Sequence, residues 1–508
     1  MPLVWIALGA VGLLALWDIF QKKHAILRNF PVIGHFRYLL ESIGPELRQY
    51  IVTDNDSERP FSRDQRRWIY AVSKSQTPYF GFGTDNDLEH AQDYLIIKQN
   101  TFPIPSPKPD AAGYDPTFRL PCAKTLGGFR NRKKAFRPNS VVNVSAMSFG
   151  SLSAAAIEAI NRGCQGAGCL HNTGEGAVSP HHLKGGDLIW QIGTGYFGCR
   201  NDDGTFNLER LEETCQRHPQ IKALEIKLSQ GAKAGLGGMV LAAKVTPEIA
   251  AIRGIPARKN CFSPAGHSAF SDADSMLDWI EMIADQTGLP VGIKSAVGEM
   301  GFWEELVKQI DQTGRSVDFV TIDGGEGGTG AAPRAFADHV SLPFRHGFSR
   351  VYRLFAEQGL HHKIVFNGAG KLGFPETALF AFGIGADLIS VAREAMISIG
   401  CIQAQRCHTG HCPAGVATQN AWLMRGLDPT LKSARCANYL TKLRQEILQL
   451  THTCGAVHPA LVTPDHFEIL EGPYDSRSIR SLFNYRDGDA VPSAADIADI
   501  TQLMTAKS

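Results

Sequence analysis

The sequence predicts an α/β protein whose main body is a (β/α)8 barrel, and three observations carry that prediction. Eight short apolar or β-branched runs recur from Val141 to Val391, helical stretches lie between many of them, and most end in glycine, small or polar residues. Eight strands alternating with helices over roughly 250 residues match the count and size of such a barrel. The runs are Val141–Ala146, Gly168–Asn172, Leu188–Ile192, Ala223–Leu228, Val291–Ser295, Asp318–Ile322, Lys363–Phe366 and Asp387–Val391. A doubly wound open sheet shares this texture, because strand counting does not establish closure.

The N-terminus of the 508-residue chain reads as a separate piece. No charge occurs from Pro2 to Trp17, and only Asp18 interrupts before Lys22. A helix from Met1 to Phe20 would be about 30 Å long, enough to cross a hydrocarbon core. Lys22, Lys23, Arg28 and Arg37 follow the apolar run. Their position predicts a single-pass membrane anchor over residues 1–21 with the body on the cytoplasmic side. A buried or interfacial helix is the competing reading.

An N-terminal extension follows over residues 22–138. In it, His35 to Ile43 reads as an amphipathic helix, and Pro103 to Pro109 as an extended covering segment or linker. The barrel region occupies 139–425. Ser153 precedes Ala-Ala-Ala-Ile-Glu-Ala-Ile and is the expected N-cap of the helix after the first strand. The insertion between the fourth and fifth runs is long, so an excursion over the top face is expected. Residues 426–508 form a C-terminal extension.

Composition narrows the function classes. Lys and Arg total 51 against 50 Asp and Glu, and a formal charge of +1 leaves no electrostatic footprint for nucleic acid. Eleven cysteines without a regular framework fit a reducing compartment better than a secreted disulfide scaffold. The 51 glycines cluster in loops after apolar runs, as in enzymes whose backbone approaches a cofactor closely.

Three of the cysteines, Cys401, Cys407 and Cys412, fall on one short stretch, and Pro-Ala-Gly-Val-Ala-Thr-Gln419 follows at once. Thiolates gathered on a loop are what a soft metal centre needs. Three would suit a three-iron cluster, a four-iron cluster with a non-cysteine fourth ligand, or zinc completed by His408 or His411.

Gly368-Ala-Gly370-Lys-Leu-Gly373 follows an apolar run and matches the G-x-G-x-x-G dinucleotide loop. The acid such a loop requires should end the next strand, whereas Asp387 begins it. The phosphate of a mononucleotide is the better expectation, because loops after the seventh and eighth barrel strands commonly bind phosphate. Other run ends carry polar groups on the face where barrel sites lie. They are Ala146-Met147-Ser148, Asn172 with Glu175, Gln191, Lys227, Lys294 and the loop from Asp323 to Pro333. A lysine near a flavin pyrimidine offsets negative charge on the reduced ring, and another can anchor a dicarboxylate.

Taken in order, these motifs resemble the FMN-binding synthase domain of glutamate synthase over residues 139–420. Ser145 to Gly150 resembles the family's opening flavin loop, and Asn172 to Gly176 its second-strand loop. Gln191 to Gly198, Glu225 to Lys233, Ile293-Lys294 and Asp323 to Pro333 follow in the family's order, and the cysteine loop matches its cluster ligands. The resemblance implies that Ala146, Met147, Ser148, Gln191 and Lys227 hold the isoalloxazine and that Gly368 and Gly370 cradle the FMN phosphate. It implies Lys294 and Glu175 as catalytic residues flanking a 2-oxo acid, and Cys401, Cys407 and Cys412 as ligands of a [3Fe–4S] cluster.

The implied reaction reduces 2-iminoglutarate, made from 2-oxoglutarate and ammonia, to glutamate. Electrons would come from a ferredoxin, a reductase subunit or a membrane carrier. The chain opens Met-Pro-Leu where full-length family members carry the cysteine nucleophile of a glutaminase domain. Ammonia is therefore expected from solution or a separate subunit. Arg393, after the eighth run, stands where the family favours small residues. Two other readings stay open: an amino-acid dehydrogenase with the same cofactors but a different substrate that feeds a membrane carrier, and a non-catalytic electron-transfer subunit.

Overall fold

All eight runs become strands, and the sheet they form is closed. β1 (Val142–Val144), β2 (His171–Asn172), β3 (Leu188–Ile192), β4 (Ile221–Lys227), β5 (Val291–Ser295), β6 (Phe319–Asp323), β7 (Val365–Ala369) and β8 (Leu388–Val391) pair in that order. β8 returns to β1, and every pairing is parallel. Closure removes the sheet edges and excludes the open-sheet alternative. The computed structural model describes residues 2–21, 23–79, 81–105 and 114–505. The chain divides into two units, residues 1–68 and 69–508.

Only Leu188–Ile192 and Val291–Ser295 keep the expected bounds; the other six runs shift at one or both ends, and the second does so for a plain steric reason. Gly168 is the left-handed cap (φ +67°) that ends helix α1 (Ala154–Ala167), a conformation that glycine adopts without a Cβ clash. The seventh strand begins at Val365 and runs to Ala369, so Gly368 lies inside a strand rather than in a loop. Ser153 caps α1 as expected, accepting from the Ala156 amide. The remaining helices that surround or cover the barrel include α2 (Leu208–Arg217), α3 (Pro247–Arg253), α4 (Ala273–Thr287), α5 (Gly301–Thr313) and α6 (Phe344–Glu357). They continue with α7 (Pro375–Gly383), α8 (Arg393–Ser398) and α9 (Pro429–Thr453). Gly163 lets α9 lie close on α1, since a Cβ there would stand 2.6 Å from Cys436 Cβ.

The barrel interior is layered because side chains alternate along each strand. Leu170, Ile189, Ala223, Phe319, Val365 and Leu388 form the lowest layer, closed from below by Cys122 and Leu126. Burial of each large side chain there contributes about 1.5–3 kcal/mol. Two residues further along the strands come Asn172, Gln191, Glu225, Thr321, Asn367 and Ser390, all buried. Two more give Lys227 and Asp323 at the mouth.

The segment before β1 seals the lower end with charge as well as apolar surface. Lys124 Nζ donates to Asp387 Oδ2 (2.8 Å), His361 O (2.6 Å) and Ile364 O (3.0 Å). Arg132 pairs with Asp318 at 3.0 Å and Glu281 at 2.7 Å. Asp387 thus serves the barrel floor, as its place at the start of β8 requires.

The long insertion between β4 and β5 lies over the top, as expected. A two-stranded ladder, Met239–Val240 with Cys261–Phe262, frames α3, which is capped by Thr246 and Gly254. Val240, Val245, Ala250 and Cys261 pack there with Ala177 and Phe197 from the loops after β2 and β3. Elsewhere in this unit Gln92–Ile97 pairs antiparallel with Phe467–Glu471, which pairs in turn with Ser476–Ser478. The run from Pro103 is described as far as Pro105, and its remainder, with Pro107 and Pro109, lies outside the described residues.

In the N-terminal unit, helix Pro2–Phe20 is exposed along nearly all its length and is long and apolar enough to cross a membrane. Met1 and Lys22, at the edges of the expected anchor, lie outside the described residues. Asp18, buried near the end of that helix, accepts from the Val32 amide (2.8 Å) and from His35 Nε2 (3.0 Å). The expected amphipathic helix spans Gly34–Leu47.

Candidate active site

Strand alternation delivers two lysines to the barrel mouth. Lys227 from β4 and Lys294 from β5 are register partners. Glu175 enters from the loop after β2, its Oε1 lying 3.0 Å from Lys227 Nζ and 3.6 Å from Lys233 Nζ. Burial alone would push the Glu175 carboxyl up, but Lys227 and Lys233, with Arg253, outweigh it and hold it down at about 2. Two glycines make room for this carboxylate: a Cβ at Gly193 or Gly238 would stand 2.7 or 2.8 Å from Glu175 atoms.

Lys294 is held more loosely, with the Asp323 carboxylate at 3.6 Å. Asp323 Oδ2 also accepts from the Gly231 amide at 2.9 Å. Lys227, Lys233, Lys294 and Arg253 are all buried, and the carboxylates they meet are Glu175 and Asp323. Four cations against two anions leave a positive surplus in a poorly solvated mouth, which favours a bound anion.

Beneath the mouth sits a polar layer centred on Glu225. Its Oε1 accepts from Asn172 Nδ2 and Gln191 Nε2, both at 2.7 Å, and its Oε2 from Thr321 Oγ1 at 2.7 Å. Asn367 Nδ2 donates on to Thr321 Oγ1 (3.1 Å) and Ser390 Oγ (3.0 Å). The amide nitrogen of Gln191 is therefore committed downward, and its carbonyl oxygen is the atom left for a ligand.

The loop after β1 places Ala146, Met147 and Ser148 beside this cluster. Met147 O accepts from His182 Nε2 at 3.3 Å, and a Cβ at Gly174 would lie 2.7 Å from the Ser148 amide nitrogen. Arg253, from α3, donates to Phe149 O (3.0 Å), reaches Ser148 Oγ at 3.4 Å and lies 5.2 Å from the Phe197 ring centroid. Tyr196 and His267 support Lys227. The Tyr196 hydroxyl accepts from the Ser268 (3.0 Å) and Ala269 (3.1 Å) amides, so its proton goes to His267 Nδ1 at 3.1 Å. His267 Nε2 then donates to Lys227 O at 2.9 Å, and burial holds the imidazole below its usual range, in the neutral form.

The glycines expected to cradle phosphate pack against the loop after β6. A Cβ at Gly368 would stand 2.8 Å from the Phe344 ring, and one at Gly370 (φ +137°) 3.2 Å from Gly324 backbone atoms. Arg393 crosses the same loop: its guanidinium donates to Glu326 O, and a Cβ at Gly328 would lie 2.5 Å from Arg393 Cδ.

The cysteine loop borders these elements. A Cβ at Gly330 would stand 3.0 Å from Cys407 Cβ. Lys244 Nζ donates to Cys407 O (2.8 Å) and Ser151 O (3.3 Å), Tyr70 to Cys401 O (2.9 Å), and Gln419 Nε2 to Leu152 O (2.8 Å). Burial, then the neighbouring Cys412, raises the Cys407 thiol. Among the described residues no three His, Cys, Asp or Glu side chains converge tightly enough to hold a metal ion.

Sequence reasoning assigned no role to Glu225, Lys233 or Arg253. Glu225 stands out in retrospect as a carboxylate two residues before Lys227 on one strand face. Arg253 gave no signal, because only the folded insertion carries it to the Glu175 loop.

A conserved region in glutamate synthase matches residues 125–457. The chain is 39% identical over 475 residues to the glutamate synthase large subunit-like protein YerD of Bacillus subtilis, covering 88% of this chain and 90% of that protein. It is 32% identical over 317 residues to the archaeal glutamate synthase (NADPH) of Methanocaldococcus jannaschii, covering 62% of this chain and 59% of that enzyme. It is 33% identical over 319 residues to the archaeal-type glutamate synthase (NADPH) of Thermotoga maritima, with the same shares of each chain. The chain thus spans nearly all of one relative and under two thirds of the other two. With the conserved region covering the whole barrel and its lysine-lined mouth, the chain belongs to the glutamate synthase family and is an FMN-dependent oxidoreductase.

Proposed function

We propose that this chain catalyses the reductive amination of 2-oxoglutarate. The oxo acid and ammonia condense to 2-iminoglutarate with loss of water, and once its nitrogen is protonated from solvent, hydride addition at the iminium carbon gives glutamate. The observation that carries this reading is the pair of register-matched lysines, Lys227 tied to Glu175 and Lys294 loosely held beside Asp323. Bound FMN would supply the hydride, with two electrons replenished by an external donor such as a ferredoxin or a reductase subunit.

The residues present fit that cofactor. The buried cationic surplus suits the negative charge of a reduced ring and of a phosphate. Ala146, Met147, Ser148, Gln191 and Lys227 would hold the ring, while Gly368, inside β7, and Gly370, just after it, would cradle the phosphate, with Arg393 across the neighbouring loop after β6. Lys294 would anchor a substrate carboxylate. Glu175, held at about 2, is ionised at neutral pH. It would therefore orient a cationic iminium rather than act as a proton donor.

Cys401, Cys407 and Cys412 would hold a [3Fe–4S] cluster, a centre for one-electron transfer. Three soft thiols on one loop, packed against the loops after β1 and β6, support this assignment. Helix Pro2–Phe20 supports attachment to a membrane through residues 1–21, and Lys22, Lys23, Arg28 and Arg37 after it in the sequence favour the barrel on the cytoplasmic side. The helix also favours a second reading, an amino-acid dehydrogenase with the same cofactors but a different substrate that passes electrons to a membrane carrier. Membrane partitioning of the full chain against one lacking residues 1–21 tests the anchor; equal partitioning refutes it.

The decisive experiment is anaerobic. The dithionite-reduced protein should be reoxidised only when 2-oxoglutarate and ammonium are both present, with glutamate appearing. Reoxidation that ignores either compound overturns the assignment.

A further inference from the structure

Glu225 is 1% exposed and lies one layer beneath Lys227 on the same face of β4. Its three hydrogen-bond donors are neutral: the Asn172 and Gln191 amides and the Thr321 hydroxyl. A carboxylate buried without a cation is costly, and an apolar residue of similar volume would fill the barrel more cheaply. Such a group is therefore expected to serve the site.

A carboxylate only accepts, so it dictates which end of each amide faces it. Asn172 turns its Nδ2 down to Glu225, and its Oδ1 then accepts from the Gly174 amide at 3.0 Å. That bond fixes the turn carrying Glu175. Gln191 likewise turns its Nε2 down, which leaves its Oε1 to the mouth.

We propose that Glu225 is a positioning residue for the flavin site. It orients the Gln191 amide so that a carbonyl oxygen meets a ring N–H of the bound flavin, and it holds the Glu175 loop through Asn172. The proposal rests on the FMN site and not on the identity of the substrate.

The test is an FMN titration of the full-length apoprotein, read by flavin fluorescence quenching and by the shape of the bound flavin's absorption bands. Glu225→Leu should weaken FMN binding about tenfold or more, the size expected for a lost charge-assisted hydrogen bond. Glu225→Gln keeps a carbonyl oxygen for both amides and turns its NH2 to the Thr321 hydroxyl, which can accept. It should stay within about threefold of wild type. Added to Gln191→Leu, itself about tenfold weaker, Glu225→Leu should cost less than about threefold more, because the carboxylate acts through that amide. A merely structural role would give neither the rescue nor the non-additivity.

Unchanged binding in Glu225→Leu, more than tenfold loss in Glu225→Gln, or fully multiplying effects with Gln191→Leu would overturn the proposal. Should Glu225→Leu not fold, Thr321→Val takes its place with an expected loss of about threefold; wild-type binding there overturns the proposal equally. Intact FMN titrations with no reoxidation by 2-oxoglutarate and ammonium would instead sink the substrate assignment.

Discussion

The two ends of the barrel bury charge in opposite ways. At the floor, Lys124 uses all three of its ammonium hydrogens on Asp387, His361 O and Ile364 O, and Arg132 bridges Asp318 and Glu281. At the mouth, Lys294 has a carboxylate no nearer than 3.6 Å, and the buried cations outnumber the carboxylates around them. The same ring of eight strands separates the two ends. A floor satisfied from within holds the fold together, whereas a mouth left electrically incomplete is poised for an anionic ligand.

That contrast is open to experiment, and the largest effect belongs to the mouth. Lys294→Ala should lower substrate-dependent reoxidation by about a hundredfold or more, while the denaturant midpoint stays unchanged or rises as like-charge crowding is relieved. A matching fall in stability would erase the distinction between the two ends. Lys124→Ala should do the reverse. It strands Asp387 without its cation and should cost about 3–5 kcal/mol in chemical denaturation, with cofactor content per folded molecule preserved.

Glu175 sharpens the comparison through pH. Its folded carboxyl, at about 2, binds a proton more weakly than the same group in the unfolded chain, near 4.5. Its contribution is therefore complete above pH 4.5 and lost as pH falls toward 2. The linked free energy is about 3 kcal/mol. Glu175→Gln should remove that acid slope from the stability profile; an unchanged slope would place the proton uptake elsewhere. The smallest effect is expected at Tyr196→Phe. It deprives the Ser268 and Ala269 amides of an acceptor and frees His267, which should cost about 1–2 kcal/mol in thermal or urea unfolding.

The fold was legible because a barrel repeats one local signal eight times. Leu188–Ile192 and Val291–Ser295 matched to the residue, and the other strands shifted by only a few positions where a cap or a register step intervened. Lys227, Lys294, Gln191 and Glu175 were legible for a related reason: polar groups at the ends of apolar runs have no place in a core. The loop glycines were legible as glycines but not as to which neighbours they admit. Phe344, Gly324 and Arg393 reach them from other elements.

Sequence alone determined the strand count, the polar strand ends, the apolar first helix and the clustering of three cysteines, since each is written in residue type and short spacing. Tertiary structure decided closure of the sheet, the floor pairs Lys124–Asp387 and Arg132–Asp318, and the joining of Gln92–Ile97 to Phe467–Glu471. It also decided that Arg253 and Lys233 converge on Glu175, and that Glu225 binds amides rather than a cation. The physical reason is common to all of these. A side chain's partner in a closed barrel comes from whichever strand or insertion the closure brings opposite, and residues far apart in sequence meet only once the whole ring is complete.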